Sequence, residues 1–459
     1  MNAIITSGIW GVVMMFGGIF FRRISSLKPL AVIGLLLLLG ANVWETYCGG
    51  FFDIDTRGML RFTQFGLFFN TVAIASTLIY ILLSGRDMEK VNDGKYVAEH
   101  YALIFFVLAG VGIASSFNSL LMLFLGIEII SIPLYILTGS EKRNLKSNEA
   151  SLKYFLMGSF STGILLMGIA LIYGATGSFS LDMMFDAKDV SPLILAGMIL
   201  LIVGMSFKVS TAPFHFWAPD VYDGSPTVYT SFMATVVKAA AFIAFFRLFE
   251  RSFSHAQSQW QNLVVIITAA TLIIGNFTAV FQQSVKRMLA YSSIAQAGFM
   301  MFALFAMNDF GKEGLILYAA AYSMATIGIF AILIRMKDYT FDGYNGMGKK
   351  YPLLAAVNTI FLLSLAGIPL TAGFFAKYYM LAAAVKNGTY MWLVVLAIIC
   401  AAVSVYYYFR VIQAMYFRDC ENPQEIKTCA GFRTLLVILA ALIILLGAYP
   451  QLLLNWLYF

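Results

Sequence analysis

The sequence predicts an all-α polytopic membrane protein of about fourteen transmembrane helices, with two inverted five-helix repeats and broken helices 7 and 12. Three observations carry this prediction. Hydrophobic residues make up 61% of the 459 positions and charged ones only 12%, too little polar side chain to cover a soluble core of that size. Apolar runs repeatedly reach the roughly 20 residues that cross a bilayer. Lysines and arginines gather in alternate loops, the pattern of a chain whose alternate loops face the cytoplasm.

Hydropathy places spans one to three at about 4–20, 30–47 and 60–84. The first has no basic stretch before it and no small-residue cleavage site after it, so a true helix is expected there and not a signal peptide. Spans four to eight fall at about 98–117, 119–138, 150–173, 192–217 and 226–249. Spans nine to thirteen fall at 261–282, 288–307, 314–335, 352–385 and 390–412, and the last at 431–456. The twelfth is too long for one straight crossing and contains "AGIPLTAGFF". A broken or tilted span is expected there, and irregular backbone at that depth survives only inside protein or beside a water-filled cavity.

Spans seven and twelve share a design. Pro213 follows Lys208 in "FKVSTAPFHFWAPD", and Pro369 precedes Lys377, with Gly367 and Gly373 loosening the chain further. A proline inside a helix removes a hydrogen bond and clashes with the preceding turn. The two interrupted spans lie five helices apart. Five is odd, so a repeat with that step has inverted topology, a recurrent transporter pattern. The expected segments are flanking helices over 1–97, a first repeat over 98–250, a second over 251–415 and a C-terminal helix over 416–459.

Orientation follows from the loops. One side collects Arg22, Arg23, Lys28, Arg86, Lys90, Lys95, Lys142, Arg143, Lys146, Lys286, Arg287, Arg335, Lys337, Lys349, Lys350, Arg410, Arg418, Lys427 and Arg433. The other has Arg57, Arg61, Lys188, Arg247, Arg251, Lys312 and Lys386. Positive-inside asymmetry makes the first side cytoplasmic and puts both termini outside. The same loops explain the net charge of +7 without invoking nucleic acid.

Four basic residues remain, Lys153, Lys208, Lys238 and Lys377, all within spans; among the acids only Glu128, in "LLMLFLGIEIISIPLYIL", lies well inside one. A charge at the centre of a span costs roughly 2.5–3.5 kcal/mol on insertion scales. Such residues mark ion paths, proton relays or internal pairs, or they snorkel to a headgroup. Lys153 follows Glu149 by four residues, the favourable helical ion-pair spacing. Lys238, in "MATVVKAAAF", is too deep to snorkel easily. Lysine suits a proton path because burial lowers an amine's proton affinity while a carboxylate beside it raises it. Opening and closing a Glu128–Lys208 pair would therefore make the lysine hold or release a proton. His215 is a further candidate relay, with capping or interfacial roles as its alternatives. Ser210, Thr211, Thr235, Asn276, Gln282, Gln296, Tyr318, Ser323 and Thr326 supply the polar groups a wetted file would need, though each alone is an ordinary interhelical hydrogen-bonding residue.

Other chemistries find no support. Cys48, Cys400, Cys420 and Cys429 form no CxxC, and "DCENPQEIKTC" lacks partners at metal-ligand spacing, so neither a zinc nor an iron–sulfur site is expected. The three histidines are scattered. "GVGIAS" lies inside a span and "GYNGMG" in a loop, so no GxGxxG nucleotide site is expected either.

The stretch "FKVSTAPFHFWAPDVYDGSPTVYTSFMATVVKAAAF" resembles the antiporter-like membrane subunits of respiratory complex I, relatives of the Mrp-type cation/proton antiporters. "NEASLKYFLMGSFSTG", "YSSIAQAGFM" and "LAGIPLTAGFFAKYYML" resemble the same family, over spans four to thirteen at least. "DVYDGSP" is similar to subunit N of bacterial NADH:quinone oxidoreductase more than to subunits L and M. The end just after span fourteen argues against the L type with its long lateral helix, and the presence of the first three spans looks bacterial. The resemblance implies proton translocation through Glu128, Lys208, Lys238 and Lys377, matching the family's charged residues on helices five, seven, eight and twelve. It also implies the bacterial inner membrane, and contacts with K- and M-type subunits. NADH, FMN, iron–sulfur clusters and quinone would then be bound by partner subunits, with no cofactor or metal on this chain. The alternative is an Mrp-like cation/proton antiporter subunit.

Overall fold

The computed structural model describes residues 1–20, 24–52, 54–182, 190–420 and 423–457. Arg22, Arg23 and Lys188, three of the loop cations above, lie outside them. Regular structure among the described residues is helical, and the extended pairings are the isolated bridges Leu60–Phe117, Ser119–Ser180 and Ser284–Thr340. Among the described residues, twelve helices are long and apolar enough to cross a membrane. With the shorter apolar helices at Pro192–Lys208 and Pro352–Ala366, they account for all fourteen spans: this is a multi-pass membrane protein.

In chain order the helices are α1 (Asn2–Phe20), α2 (Leu27–Cys48), α3 (Gln64–Met88), α4 (Val97–Ser116), α5 (Leu120–Thr138), α6 (Leu145–Thr176), α7 (Pro192–Lys208), α8 (Trp217–Gly224), α9 (Thr227–Phe232) and α10 (Lys238–Ser252). They continue as α11 (Gln257–Val280), α12 (Val285–Ala306), α13 (Asp309–Leu333), α14 (Met347–Lys350), α15 (Pro352–Ala366), α16 (Ala372–Asn387), α17 (Met391–Phe417), α18 (Ala430–Ala448) and α19 (Gln451–Leu454). The chain divides into two compact units. The first holds Met1–Ser210, Gly224–Tyr229 and Val236–Val264; the second holds Thr211–Asp223, Thr230–Thr235 and Val265–Phe459.

In the first unit α4 packs on α1, α3 and α5, α6 packs on α5 and α7, and α10 packs on α3, α4 and α7. The helices are apolar on their outer faces as well as their inner ones. On α2, Ala31, Leu35, Leu38 and Asn42 are buried, while Ile33, Leu36 and Leu37 are exposed. On α6, Phe155, Leu156 and Phe160 stand outward. Water would not tolerate so continuous an apolar surface, and lipid does. In the second unit α13 packs on α12, α15, α16 and α18, and α15 packs on α17 and α18. The apolar stretch of α13 is wholly buried.

The structure departs from the hydropathy reading at specific places. Span six begins earlier, because Asn144 caps α6 by accepting from the Lys146 N–H (3.1 Å) and so makes a polar first turn helical. Span seven stops at Lys208, and Pro213 lies in the stretch between α7 and α8, not inside a helix. Span eight contains a π-turn over Met233–Val237 just before Lys238. Span twelve is two helices, α15 and α16. Arg247 and Arg251, assigned above to a loop, sit in the last turns of α10. Arg247 is buried, and its guanidinium donates to the carbonyls of Phe117 (2.9 Å) and Arg61 (2.7 Å), next to the C-terminal end of α4. A helix C-terminus leaves carbonyls unpaired and carries partial negative charge, which makes a buried cation tolerable there.

Candidate functional site

In the first unit α7 begins with Ser191 as its cap and Pro192 at its first position, and ends at Lys208. The helix cannot continue through Ser210, which is in the left-handed region at φ 57°. The Lys208 side chain, 8% exposed, reaches between α5 and α6 to Glu128, itself 20% exposed. Its Nζ lies 3.1 Å from Ser131 Oγ, 3.1 Å from Thr162 Oγ1 and 3.7 Å from Glu128 Oε1. The Thr162 hydroxyl donates to Glu128 Oε1 at 2.7 Å. Glu128 and Ser131, three residues apart on α5, face the same way.

Magnitudes show why the hydroxyls matter. Two unit charges 3.7 Å apart attract by about 4 kcal/mol at an effective dielectric near 20. Removing each ion from water costs several kcal/mol. The ion pair alone therefore does not support itself in the membrane layer; hydrogen bonds from Thr162 and to Ser131 and Thr162 close the gap. Close approach of α5 and α6 is set one turn earlier. A Cβ at Gly158 would lie 2.3 Å from Tyr135 Oη, so only glycine lets Tyr135 of α5 rest on α6 there.

Lys238 begins α10 directly after the π-turn and is buried in the same unit. A π-turn inserts an extra residue and re-aims the side chains that follow it. Lys153 stands on the outer face of α6, 41% exposed, paired with Glu149 (63% exposed) at 2.7 Å.

Lys377 belongs to the second unit, on α16. Helix α15 ends at Ala366, followed by Gly367 at φ 83° and Leu370 at φ 72°. In an unbroken helix the Leu365 carbonyl would bond the N–H of residue 369, but Pro369 has none. Lys377 takes up the freed acceptors, donating to the carbonyls of Leu365 (2.9 Å) and Ala366 (2.8 Å). Its ammonium also sits 4.8 Å from the centre of the Phe299 ring, a cation–π distance. The break itself thus supplies the groups that solvate the cation, through the negative end of α15. Gly373 makes the junction tight: a Cβ there would meet the Ser364 carbonyl oxygen at 1.8 Å.

Around Lys377 the polar side chains form a network. Gln296 Nε2 donates to the Leu365 carbonyl (2.9 Å) and to Tyr408 Oη (3.0 Å), and Gln296 Oε1 accepts from Tyr318. Ser292 and Tyr408 share a 2.5 Å hydrogen bond. A cavity of about 10 Å³ lies among Gln296, Tyr318, Tyr322, Ser364 and Lys377, by volume about one water molecule. His215, also in this unit, is buried between Pro213 and α8; its Nδ1 has no hydrogen-bond partner among the described residues.

The structure therefore brings Glu128 and Lys208 together. It places Lys238 in the same unit, and Lys377 and His215 in the other. Sequence reasoning missed Thr162 and Ser131, whose hydroxyls bridge the pair. It also missed the buried His100 Nδ1–Tyr229 Oη hydrogen bond at 2.6 Å, which joins α4 to α9. Their only sequence signal is a polar residue within an apolar run.

A family model described as NADH:quinone oxidoreductase/Mrp antiporter, transmembrane, matches residues 117–404. A relative from Cytophaga hutchinsonii named NADH-quinone oxidoreductase subunit N is 40% identical, covering 99% of each chain. A chain of respiratory complex I from Thermus thermophilus, solved with bound aureothin, superposes with a TM-score of 0.83 at 31% identity, over 99% of this chain and 98% of that one. A chain of the archaeal membrane-bound sulfane sulfur reductase superposes with a TM-score of 0.87 at 26% identity, over 99% and 95%.

Proposed function

Because this chain belongs to the family of NADH:quinone oxidoreductase and Mrp antiporter membrane subunits, we propose that it is a subunit of N type in the membrane arm of a bacterial NADH:quinone oxidoreductase. It moves protons through Glu128, Lys208, Lys238 and Lys377, with His215, Lys153 and Glu149 as candidate relays. Quinone reduction elsewhere in the complex drives the movement. NADH, FMN, iron–sulfur clusters and quinone are bound by partner subunits, and K- and M-type subunits are its membrane neighbours. It lies in the inner membrane with both termini on the periplasmic side; the asymmetry of the loop charges supports that orientation.

The single observation that carries this reading is the buried Lys208, held by Glu128 and two hydroxyls at the end of an interrupted helix. Its charge is compensated by one carboxylate whose contact can open and close. When the pair opens, the ammonium loses the group that favours it and its proton can leave; when it closes, the proton is kept within the pair. Lys377 works from a different base. Neutral carbonyl dipoles solvate it, so its proton can leave without stranding a buried anion. Both lysines stand beside a helix break in polar surroundings that an unbroken apolar helix lacks: hydroxyls and a carboxylate of α5 and α6 for Lys208, the carbonyls freed at the end of α15 for Lys377.

Mild detergent extraction tests the placement. The chain is expected to purify within a multi-subunit assembly that oxidises NADH and reduces quinone. Recovery as a solitary, fully active cation/proton exchanger would overturn it in favour of the Mrp-like alternative.

A further inference from the structure

We propose that the Thr162 hydroxyl is the switch through which Lys208 and Glu128 exchange a proton, a role that rests on the reading of that pair given above. Lys208 Nζ and Glu128 Oε1 stand 3.7 Å apart, beyond hydrogen-bonding length. Thr162 Oγ1 stands 3.1 Å from the amine and 2.7 Å from the carboxylate, so the short route runs through it.

A hydroxyl has one proton to give and two lone pairs to accept with. In one arrangement it donates to Glu128 and accepts from Lys208, and transfer is then balanced. An N–H bond of Lys208 breaks as an O–H bond forms on Thr162 Oγ1. The original Thr162 O–H bond breaks as its proton joins Glu128 Oε1. Ammonium and carboxylate become amine and carboxylic acid, and threonine ends as it began. No other reactant is needed.

A second acceptor makes this a switch. The Gly158 carbonyl lies 3.0 Å from Thr162 Oγ1, the back-bond that threonine makes to the residue four before it. One proton cannot serve both acceptors at full strength. Turned to Gly158, it leaves the carboxylate without the bridge and holds the charges apart. Ser131 is not equivalent: its hydroxyl proton goes to the Ile127 carbonyl at 2.8 Å, and it meets Lys208 only as an acceptor. Thr162 also sits on α6, whereas its partners sit on α5 and α7. A small movement of α6 therefore changes both bridging contacts at once.

The test uses the whole complex reconstituted in sealed vesicles, with Thr162→Val, Thr162→Ser and Lys208→Ala compared for proton translocation during NADH oxidation. Valine keeps the shape and loses the hydroxyl; serine keeps the hydroxyl. Translocation is expected to fall roughly tenfold in Thr162→Val, the effect of losing one charge-assisted hydrogen bond, and to be restored in Thr162→Ser. Wild-type translocation in Thr162→Val overturns the switch, as does an equal loss in both variants, which would mark a packing role. Should Thr162→Val not assemble, Thr162→Ala takes its place, and the same two results overturn the switch. Lys208→Ala separates the two ideas: if it abolishes translocation while Thr162→Val does not, only the switch fails. If Lys208→Ala translocates normally, the reading of the pair fails with it.

Discussion

Gly158 shows how narrowly the charge site is positioned at the scale of single residues. It makes no contact with either ion of the pair, yet a Cβ there would lie 2.3 Å from the Tyr135 hydroxyl. Gly158→Ala must push α5 and α6 apart or displace the ring, a strain of about 1–3 kcal/mol. The displaced helix carries Thr162 one turn away. The expected outcome is a complex that assembles with lower heat resistance and translocates poorly; adding Tyr135→Phe, which removes the hydroxyl, recovers part of both. Thermal inactivation and vesicle translocation measure the two effects. The four lysines and Glu128 were legible in the sequence because charge is almost purged from the apolar runs. Thr162, Ser131 and Tyr229 were not, because a hydroxyl in such a run costs little and signals nothing by itself. Arg247 was misplaced because a cation two residues from the end of a hydropathy span reads as part of the adjoining loop, while the carbonyls at the end of α4 make its burial tolerable.

Helix ends, at the scale of elements, turn out to be built by more than the prolines. The sequence pointed to Pro213 and Pro369 as the breaks in spans seven and twelve, and both spans are broken. Yet α7 stops at Lys208, before Pro213, where Ser210 turns left-handed. In span twelve, Pro369 withholds an N–H from Leu365, and Gly367 and Leu370 make the turn. The π-turn before Lys238 has no proline or glycine to announce it, since Met233–Val237 reads as ordinary apolar helix. Gly373 gives the element-scale prediction. A methyl group there would collide with the Ser364 carbonyl at 1.8 Å, so Gly373→Ala should draw α16 away from the end of α15 and take Lys377 from its two carbonyls. Translocation should fall and the complex should inactivate at lower temperature. Gly8→Ala, with open space around its Cβ position, should change neither.

Over the whole molecule, each compact unit holds a buried lysine at a helix break, but the two lysines are solvated by different means. Lys208 has a carboxylate and two hydroxyls; Lys377 has backbone carbonyls and an aromatic ring. The repetition of spans seven and twelve could be read from the sequence, because a proline and a lysine occur together in spans five helices apart, although in opposite order. The difference in counter-charge could not, because it depends on which residues of other helices fold against each lysine. Glu128 lies far before its partner in the chain. The central claim is that protons cross this subunit through amines that give up and regain their charge. Its most direct test is the number of protons moved per NADH oxidised by the reconstituted complex carrying Lys208→Arg, whose guanidinium stays charged at any physiological pH. The predicted result is NADH oxidation with a clearly reduced proton yield; a yield equal to that of the unaltered complex would contradict the account.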